Sequence, residues 1–159
     1  MLALLFVGTG LGIGVYAFWQ ATHQPKSNTS QQQSANALQG KPMNNFTPVA
    51  KIDSLQKIDT KPGTGAEAKA DSTVTVHYTG AVAATGTVFQ SSLDSGQPIS
   101  FKLNQVIKGW ADGVPGMKAG GERRLLIPAA EAYGLNPPPG SGIPPNADLV
   151  FDIILLDVK

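Results

Sequence analysis

The chain has 159 residues, of which 42% are hydrophobic, and its 18 glycines and 12 prolines predict many turns. That length suits one domain of ordinary size plus an appendage. Cysteine is absent, which excludes disulfides, thiolate nucleophiles and cysteine–zinc sites. The first fifty residues contain two lysines and no acidic residue, which gives them a charge of +2. The remainder contains 10 basic and all 11 acidic residues, which gives it a charge of −1. Neither charge favours nucleic acid as a partner.

Residues 1–20 are predicted to form a transmembrane anchor. Leu2–Trp19 carries no charged residue, and its length is about the minimum that spans the hydrocarbon core of a bilayer. Three aromatic residues lie at its C-terminal end, where rings favour the membrane–water interface. A cleaved signal peptide is the main alternative, but no basic side chain precedes the run and 16–21 makes a poor cleavage site. The nearest basic residue, Lys26, follows the run, which by itself would place that side in the cytoplasm.

Residues 21–46 are predicted to form a disordered polar linker. The stretch 24–34 consists of Gln, Pro, Lys, Ser, Asn and Thr, and it cannot bury enough apolar surface to offset its ordering entropy. The folded domain is then expected over 47–159. An anchor followed by a tether favours a membrane-anchored domain on the extracytoplasmic side, against the weak opposite signal from Lys26.

From residue 47 onward the pattern predicts a strand-rich domain. Ser72–Val82 is rich in β-branched and aromatic residues with period two, which places Val74, Val76 and Tyr78 on one face and His77 on the other. The mostly apolar Leu149–Val158 is predicted to be a central, buried strand. The other predicted strands lie within Val49–Ile58, Val88–Gln90, Ile99–Leu103 and Arg124–Ile127. Antiparallel strands with one helix packed on them define an α+β fold.

The predicted helix starts at Asn104. Asn is a good N-cap, because its side-chain oxygen accepts from free backbone N–H groups of the first turn. Val106, Ile107, Trp110 and Val114 follow at helical spacing and form one apolar stripe. A Trp on such a helix is most often part of the core, and the open question is whether Trp110 is also the floor of a pocket.

Five sequence blocks follow one another in a specific order. They are Val76–Gly80 (VHYTG), Gly86–Ser92 (with Phe89, Ser91 and Ser92), Val106–Trp110 (VIKGW), Ala132–Gly134 (AYG) and Ile143–Asp152 (IPPNA, then LVFD). This order resembles the FKBP family, the macrolide-binding peptidyl-prolyl cis–trans isomerases, over residues 46–159. The resemblance implies a five- to six-stranded antiparallel sheet wrapped around the short helix, with a pocket between them. It also implies proline-containing polypeptides as clients and macrolide inhibitors as ligands of the pocket.

Cis–trans isomerisation of an X–Pro bond requires few catalytic groups. Rotation about an X–Pro amide crosses a barrier of about 18–20 kcal/mol that is set by C–N resonance. No bond is broken, so neither a nucleophile nor a metal nor a cofactor is required. A site accelerates the rotation when it binds the twisted amide better than the planar one. Because the twisted form loses charge separation, an apolar, water-poor pocket favours it.

The resemblance implies roles for ten residues. Trp110 resembles the floor on which the proline ring rests. The backbone N–H of Ile107 and the hydroxyl of Tyr133 match the family's two hydrogen bonds to bound ligand. The walls match Tyr78, Phe89, Phe101, Val106, Ile107, Tyr133, Ile143 and Phe151, and Gln90 stands at an acid position of the site. Strand aromatics are commonly core, so for Phe101 and Phe151 a mainly structural role is the alternative.

The sequence departs from the family's pattern at several positions. The family usually has an acid directly after the Phe89 position, where this chain has Gln90, and this alters the charge and the hydrogen bond that the acid makes to the Tyr78 hydroxyl. A non-catalytic module or holdase that grips proline-containing segments in the same groove is therefore the alternative function. Ile99 stands where an aromatic is common, and the loop 133–143 has its own Pro-Pro-Pro run, which is otherwise typical of a polyproline ligand.

Overall fold

A computed structural model describes residues 37–159 of the chain. The transmembrane anchor predicted over 1–20 and the linker up to residue 36 lie outside the described residues. No helix within 37–159 has the length and apolar character needed to cross a membrane. The elements are β1 (Gln56–Lys61), β2 (Thr73–Val82), β3 (Val88–Ser91), β4 (Ile99–Lys102), α1 (Lys108–Gly113), β5 (Glu122–Ile127) and β6 (Leu149–Val158). Short 3-10 helices span Ser92–Asp94, Leu103–Gln105 and Ala129–Glu131.

The six strands form one antiparallel sheet in the order β1-β5-β6-β2-β3, with β4 also paired to β2. β3 and β4 share one edge of β2: Thr79–Ala81 pairs with β3 and Thr73–Val76 pairs with β4. The predicted central place of β6 is confirmed, since it pairs with β5 on one side and β2 on the other. The predicted antiparallel sheet of five to six strands with one short helix is likewise confirmed.

The main core lies between α1 and the inner face of the sheet. Val74, Val76 and Tyr78 are buried there, whereas His77 on the other face is half-buried, as the alternation predicts. Two glycines let the helix lie flat against β5. A Cβ on Gly109 would come within 2.7 Å of the Ile127 Cδ1 atom, and a Cβ on Gly113 within 2.8 Å of the Leu125 methyl carbons. The helix therefore lies closer to the sheet than one with side chains at these two positions could.

The predicted helix start at Asn104 is wrong. Asn104 lies inside the 3-10 helix Leu103–Gln105, and α1 begins only at Lys108 with Ile107 as its N-cap. Val106 between them is extended, with φ −109° and ψ 173°, so the two helices are not continuous. The carbonyl of Ile107 accepts from the N–H groups of Trp110 and Ala111 and thus opens the α-helix.

The folded domain begins earlier than predicted, because residues 38–52 form an N-terminal arm along its outer face. The arm adds a strand-like edge to β3: the Gly40 N–H donates to the Val88 carbonyl, and the Val88 N–H donates to the Lys41 carbonyl. A second cluster of buried residues lies under it, comprising Met43, Ile52, Ala81, Ala83, Val88, Leu126 and Val150. The boundary predicted at residue 47 is corrected by this packing. The strand predicted over Val49–Ile58 is corrected too, since β1 begins only at Gln56.

Two arginines on β5 connect this strand to distant segments of the fold. Arg124 forms a bidentate pair with Asp152, at 2.6 and 2.8 Å, and donates to the Asn44 and Asn45 carbonyls of the arm. Arg123 forms a bidentate pair with Asp59 of β1, at 2.6 and 3.1 Å. It also donates to the carbonyls of Gly113 and Pro115 at the C-terminal end of α1. Its hydrogen bonds hold the pKa of the Asp59 carboxyl below the usual value.

Candidate active site

The structure brings nine of the ten predicted site residues into one hydrophobic cluster on α1 and the inner face of the sheet. Eight of the nine are less than a tenth exposed, and Tyr133, which packs against the cluster from the loop after β5, is half-buried. Gln90, the tenth, is 4% exposed and lies next to Phe89 on β3. Their joint placement follows from the strand pairing, but the roles assigned to them stay predictions.

Trp110 lies at the centre of a cage of aromatic rings. Its ring centroid is 5.6 Å from that of Tyr78, 5.5 Å from that of Phe101 and 5.5 Å from that of Phe151. All three pairs are close to perpendicular, at 87°, 75° and 89°. Edge-to-face pairs at such distances stabilise one another beyond the area that they bury. Phe101 and Phe151 therefore hold the orientation of Trp110, whatever else they contact.

Buried polar atoms without partners are concentrated at this cluster. The Tyr78 hydroxyl, the Trp110 Nε1 and the Tyr133 hydroxyl are buried and form no hydrogen bond. Glu131 Oε2, two residues before Tyr133, is the remaining such side-chain atom among residues 37–159. Buried polar groups are normally hydrogen-bonded, and leaving one unpaired costs about 1–3 kcal/mol. These three unpaired donors on neighbouring aromatic side chains mark the cluster as the candidate site.

Burial raises the pKa of both phenols well above the usual value. For Tyr133 the charge of an ionised Tyr78 contributes as well, which indicates that the two hydroxyl groups lie near each other. Both phenols are therefore protonated at physiological pH and can donate hydrogen bonds. Neither is poised to exchange a proton near neutrality, so neither phenol suits acid–base chemistry at physiological pH.

The raised phenol pKa values predict an alkaline loss of stability. Above the ordinary tyrosine pKa of about 10 the unfolded chain releases these protons while the folded chain keeps them, so the free energy of unfolding falls with rising pH. Below that pH both states are protonated and the two tyrosines contribute no slope. Urea denaturation between about pH 8 and pH 11 measures the effect. Tyr133→Phe is expected to make the fall of the unfolding free energy with pH shallower, by up to about 1.4 kcal/mol per pH unit. Equal slopes for the two proteins would contradict the burial of the Tyr133 hydroxyl.

Gln90 does not replace the acid that the family pattern has at its position. It pairs through the backbone with Gly80 of β2, which places it beside the site. The Tyr78 hydroxyl nevertheless has no hydrogen-bond partner, so the hydrogen bond expected between an acid and that hydroxyl is not made by Gln90. Compared with the family pattern, the site therefore has one negative charge fewer, and the Tyr78 hydroxyl remains a donor without a partner.

Two contributors to the site were missed by the sequence reasoning. Gly80 leaves room for two aromatic rings, since a Cβ there would come within 2.6 Å of Phe89 and 2.7 Å of Phe151. A glycine inside a predicted strand is a signal of such close approach. Ser92 fixes the backbone of Tyr78: its Oγ accepts from the Tyr78 N–H at 2.9 Å and lies 3.0 Å from His77 Nδ1. No local pattern predicts that contact, because it depends on the pairing of β2 with the end of β3.

Within residues 37–159 no group of three or more His, Cys, Asp or Glu side chains could hold a metal ion. Fold and site together define a class: an antiparallel sheet closed over a short helix, with a cluster of aromatic side chains between them. The model of the family described as FKBP-type peptidyl-prolyl cis-trans isomerase matches residues 65–156, more than half of the chain. The chain belongs to this family.

Curated relatives agree with this assignment. The chain is 48% identical over 104 residues to an FK506-binding protein of Neisseria meningitidis serogroup B, an alignment that covers 63% of this chain and 92% of that one. It is 56% identical over 88 residues to the peptidyl-prolyl cis-trans isomerase FPR2 of Saccharomyces cerevisiae, with 54% and 64% covered. It is 49% identical over 106 residues to FkpA of Aeromonas hydrophila, with 66% and 38% covered. The chain thus spans less than two thirds of the length of the latter two relatives.

Solved structures show the same fold. The crystal structure of FkpA from Escherichia coli superposes with a TM-score of 0.62 at 39% identity, covering 74% of this chain and 53% of that one. A peptidyl-prolyl cis-trans isomerase from Pseudomonas syringae superposes with a TM-score of 0.60 at 34% identity, covering 70% and 80%.

Proposed function

We propose that this chain is a peptidyl-prolyl cis–trans isomerase that accelerates rotation about X–Pro bonds in folding proteins. The observation that carries the proposal is the set of three unpaired buried donors on Tyr78, Trp110 and Tyr133 within the aromatic cage. The family membership supports it, because relatives that bear the activity in their names align with the folded domain.

The geometry suits binding of a twisted amide. The proline ring rests on Trp110 among the aromatic walls, where water is excluded and the less polar twisted amide is favoured over the planar one. The Tyr133 hydroxyl and the Ile107 N–H donate to carbonyl groups that flank the rotating bond, and they hold the chain on either side of it. Donors placed in a low-dielectric site act more strongly than in water. No proton is transferred and no covalent bond is made or broken.

A protease-coupled assay on a short X–Pro peptide tests the proposal. The full chain in detergent is expected to speed the cis-to-trans step above the rate in buffer, and a macrolide that occupies the site is expected to abolish the gain. A rate equal to that in buffer, with the macrolide still bound, would refute the enzymatic function and leave a binding module. Tryptophan fluorescence of a Trp19→Phe variant of the full chain reports macrolide binding, because Trp110 is then its one tryptophan.

The alternative, a non-catalytic proline-segment binding module or holdase, is favoured by one observation: Gln90 stands where an acid is usual and does not pair with the Tyr78 hydroxyl. Gln90→Asp separates the two functions. A large gain in kcat/KM from a negligible starting value supports the binding module, whereas little change supports an enzyme that works without the acid. Gln97→Asp is the matched control, since Gln97 is exposed in the loop before β4 and its replacement adds the same charge away from the site.

The proposal includes a place for the domain: residues 1–20 anchor it in a membrane and residues 21–36 tether it on the extracytoplasmic side. Its support is the uncharged apolar run Leu2–Trp19 followed by a low-complexity polar stretch. Membrane fractionation tests the anchor, which is expected to resist alkaline carbonate. The extracytoplasmic side is the periplasm or the cell surface, so protease added to cells whose outer envelope has been opened is expected to remove the domain. Complete protection under that condition would place the domain in the cytoplasm.

A further inference from the structure

Asp148, the residue just before β6, joins three distant segments of the domain through its carboxylate. Its Oδ1 atom accepts from the N–H of Ala129, at 2.8 Å, after β5. Its Oδ2 atom accepts from the N–H of Ile52, at 2.7 Å, in the N-terminal arm. Both oxygens thus bind backbone donors, so the carboxylate fixes main-chain positions and does not merely pair with a mobile side chain.

The Ala129 peptide in turn holds the segment that carries Tyr133. Ala129 is the first residue of the 3-10 helix Ala129–Glu131. Its carbonyl accepts from the N–H of Ala132 at 3.1 Å and from the N–H of Gly134 at 2.9 Å, the two residues that flank Tyr133. With its N–H held by Asp148 and its carbonyl bound on both sides of Tyr133, the Ala129 peptide sets the backbone position from which the Tyr133 side chain extends.

Tyr133 depends on such backbone contacts more than the other site residues do. Trp110 and Tyr78 lie on regular elements and are at most 1% exposed. Tyr133 lies in a loop and is half-buried, and the next residue but one, Leu135, is 71% exposed. Its hydroxyl still reaches a buried, unpaired position. A small displacement of the backbone therefore moves this hydroxyl away from a ligand carbonyl, and misplacement by about 1 Å is enough to cost a site much of its activity.

We propose that Asp148 is a positioning residue of the isomerase site: it orients Tyr133 through the Ala129 peptide and is itself held by the N-terminal arm. The catalytic readout of this inference rests on the proposed function, whereas the macrolide readout does not. The arm is then part of the site's support, although it lies on the opposite face of the sheet. A domain shortened to the family-matched region, 65–156, would lose the Ile52 N–H and with it one of the two contacts that hold the carboxylate.

A double-mutant cycle on the full chain tests the proposal. Asp148→Asn replaces one carboxylate oxygen by an NH₂ group, which cannot accept from a backbone N–H. It is expected to lower kcat/KM and macrolide affinity about 3- to 10-fold, the size that loss of one hydrogen bond gives. In a Tyr133→Phe background the same change is expected to cost less than about 2-fold, because the hydroxyl that Asp148 orients is gone. Asp53→Asn is the matched control: Asp53 lines the same surface cavity as Asp148 and is exposed, and its replacement removes the same charge without an expected effect.

A second substitution, Ala129→Pro, is expected to restore the activity that Asp148→Asn loses. Proline at the first position of a helix fixes φ near the helical value and needs no partner for an N–H, so it replaces the hydrogen bond from Asp148 by a covalent restraint. Asp148→Asn combined with Ala129→Pro is expected to regain at least half of the original kcat/KM. All variants are compared well below their Tm, so that unfolding does not enter.

Three outcomes would overturn the proposal. They are a loss from Asp148→Asn that is equally large with and without Tyr133→Phe; no loss from Asp148→Asn; and unfolding of Asp148→Asn that Ala129→Pro does not repair. The first and third assign Asp148 to stability alone. If the original chain shows no isomerase activity, the proposed function fails, but the macrolide affinities of the same variants still decide the role of Asp148.

Discussion

Trp110→Ala is expected to lower the free energy of unfolding by about 3–5 kcal/mol, the range for truncating a fully buried Trp. Trp110 is 0% exposed and contacts three rings edge-to-face, so its removal leaves a cavity that those rings cannot close without giving up their own packing. Urea denaturation followed by circular dichroism measures the loss, since the substitution removes the tryptophan of the folded domain. The midpoint is expected to fall while the m-value stays unchanged.

The same variant is expected to lose macrolide binding, because Trp110 lies at the centre of the core and is, under the proposed function, the floor of the site. Leu135→Ala is the control: this Leu is 71% exposed, and its replacement is expected to change stability by less than about 0.5 kcal/mol. A loss below about 1 kcal/mol for Trp110→Ala would mean that the cage is not packed as described.

Gly109→Ala is expected to destabilise the protein by about 1–3 kcal/mol through overpacking. In an exposed helix the same change would stabilise by up to about 1 kcal/mol, because alanine is the better helix former. The gain in helix propensity and the cost of overpacking have opposite signs here. The overpacking is expected to be the larger effect, because the added Cβ would come within 2.7 Å of the Ile127 Cδ1 atom. The helix must then move away from β5 and take Trp110 with it, so macrolide affinity is expected to fall together with stability.

Removing the side chain that Gly109 faces provides the control. With Ile127→Ala in place, the added methyl group enters space that the isoleucine has vacated, and Gly109→Ala is expected to cost less than in the original chain. Additive losses would show that the clash with Ile127 is not the cause. A gain in stability from the single change would show that the helix is not in close contact with the sheet.

The strand pattern and the faces of the strands could be read from the sequence because they depend on local alternation. Ser72–Val82 alternates with period two, and the structure buries Val74, Val76 and Tyr78 while leaving His77 on the other face. The mostly apolar stretch Leu149–Val158 predicts its central position because both faces of its first residues are covered, and Leu149, Val150 and Phe151 are all buried.

Local reasoning failed where a residue's neighbours are distant in sequence. Asn104 has the side chain of a good N-cap, but the extended backbone of Val106 separates it from α1. The polar composition up to residue 46 predicts a linker, yet the described part of that stretch binds to β3, whose edge is available only once the sheet exists. The Asp148 contacts with Ile52 and Ala129 likewise require three segments to be brought together.

What the sequence by itself determined about Asn104–Trp110 is that it carries a short apolar helix element with a large Trp, and that ordered blocks around it resemble one family. The reason is that periodicity, turn residues and motif order are local properties of the chain. Only the tertiary structure decided where the helix begins, that Trp110 lies at right angles to three rings, and that the Tyr78 and Tyr133 hydroxyls stay unpaired beside it. These features depend on β2, β4, β6 and the loop after β5 meeting at one helix, and no pattern along the chain contains those distances.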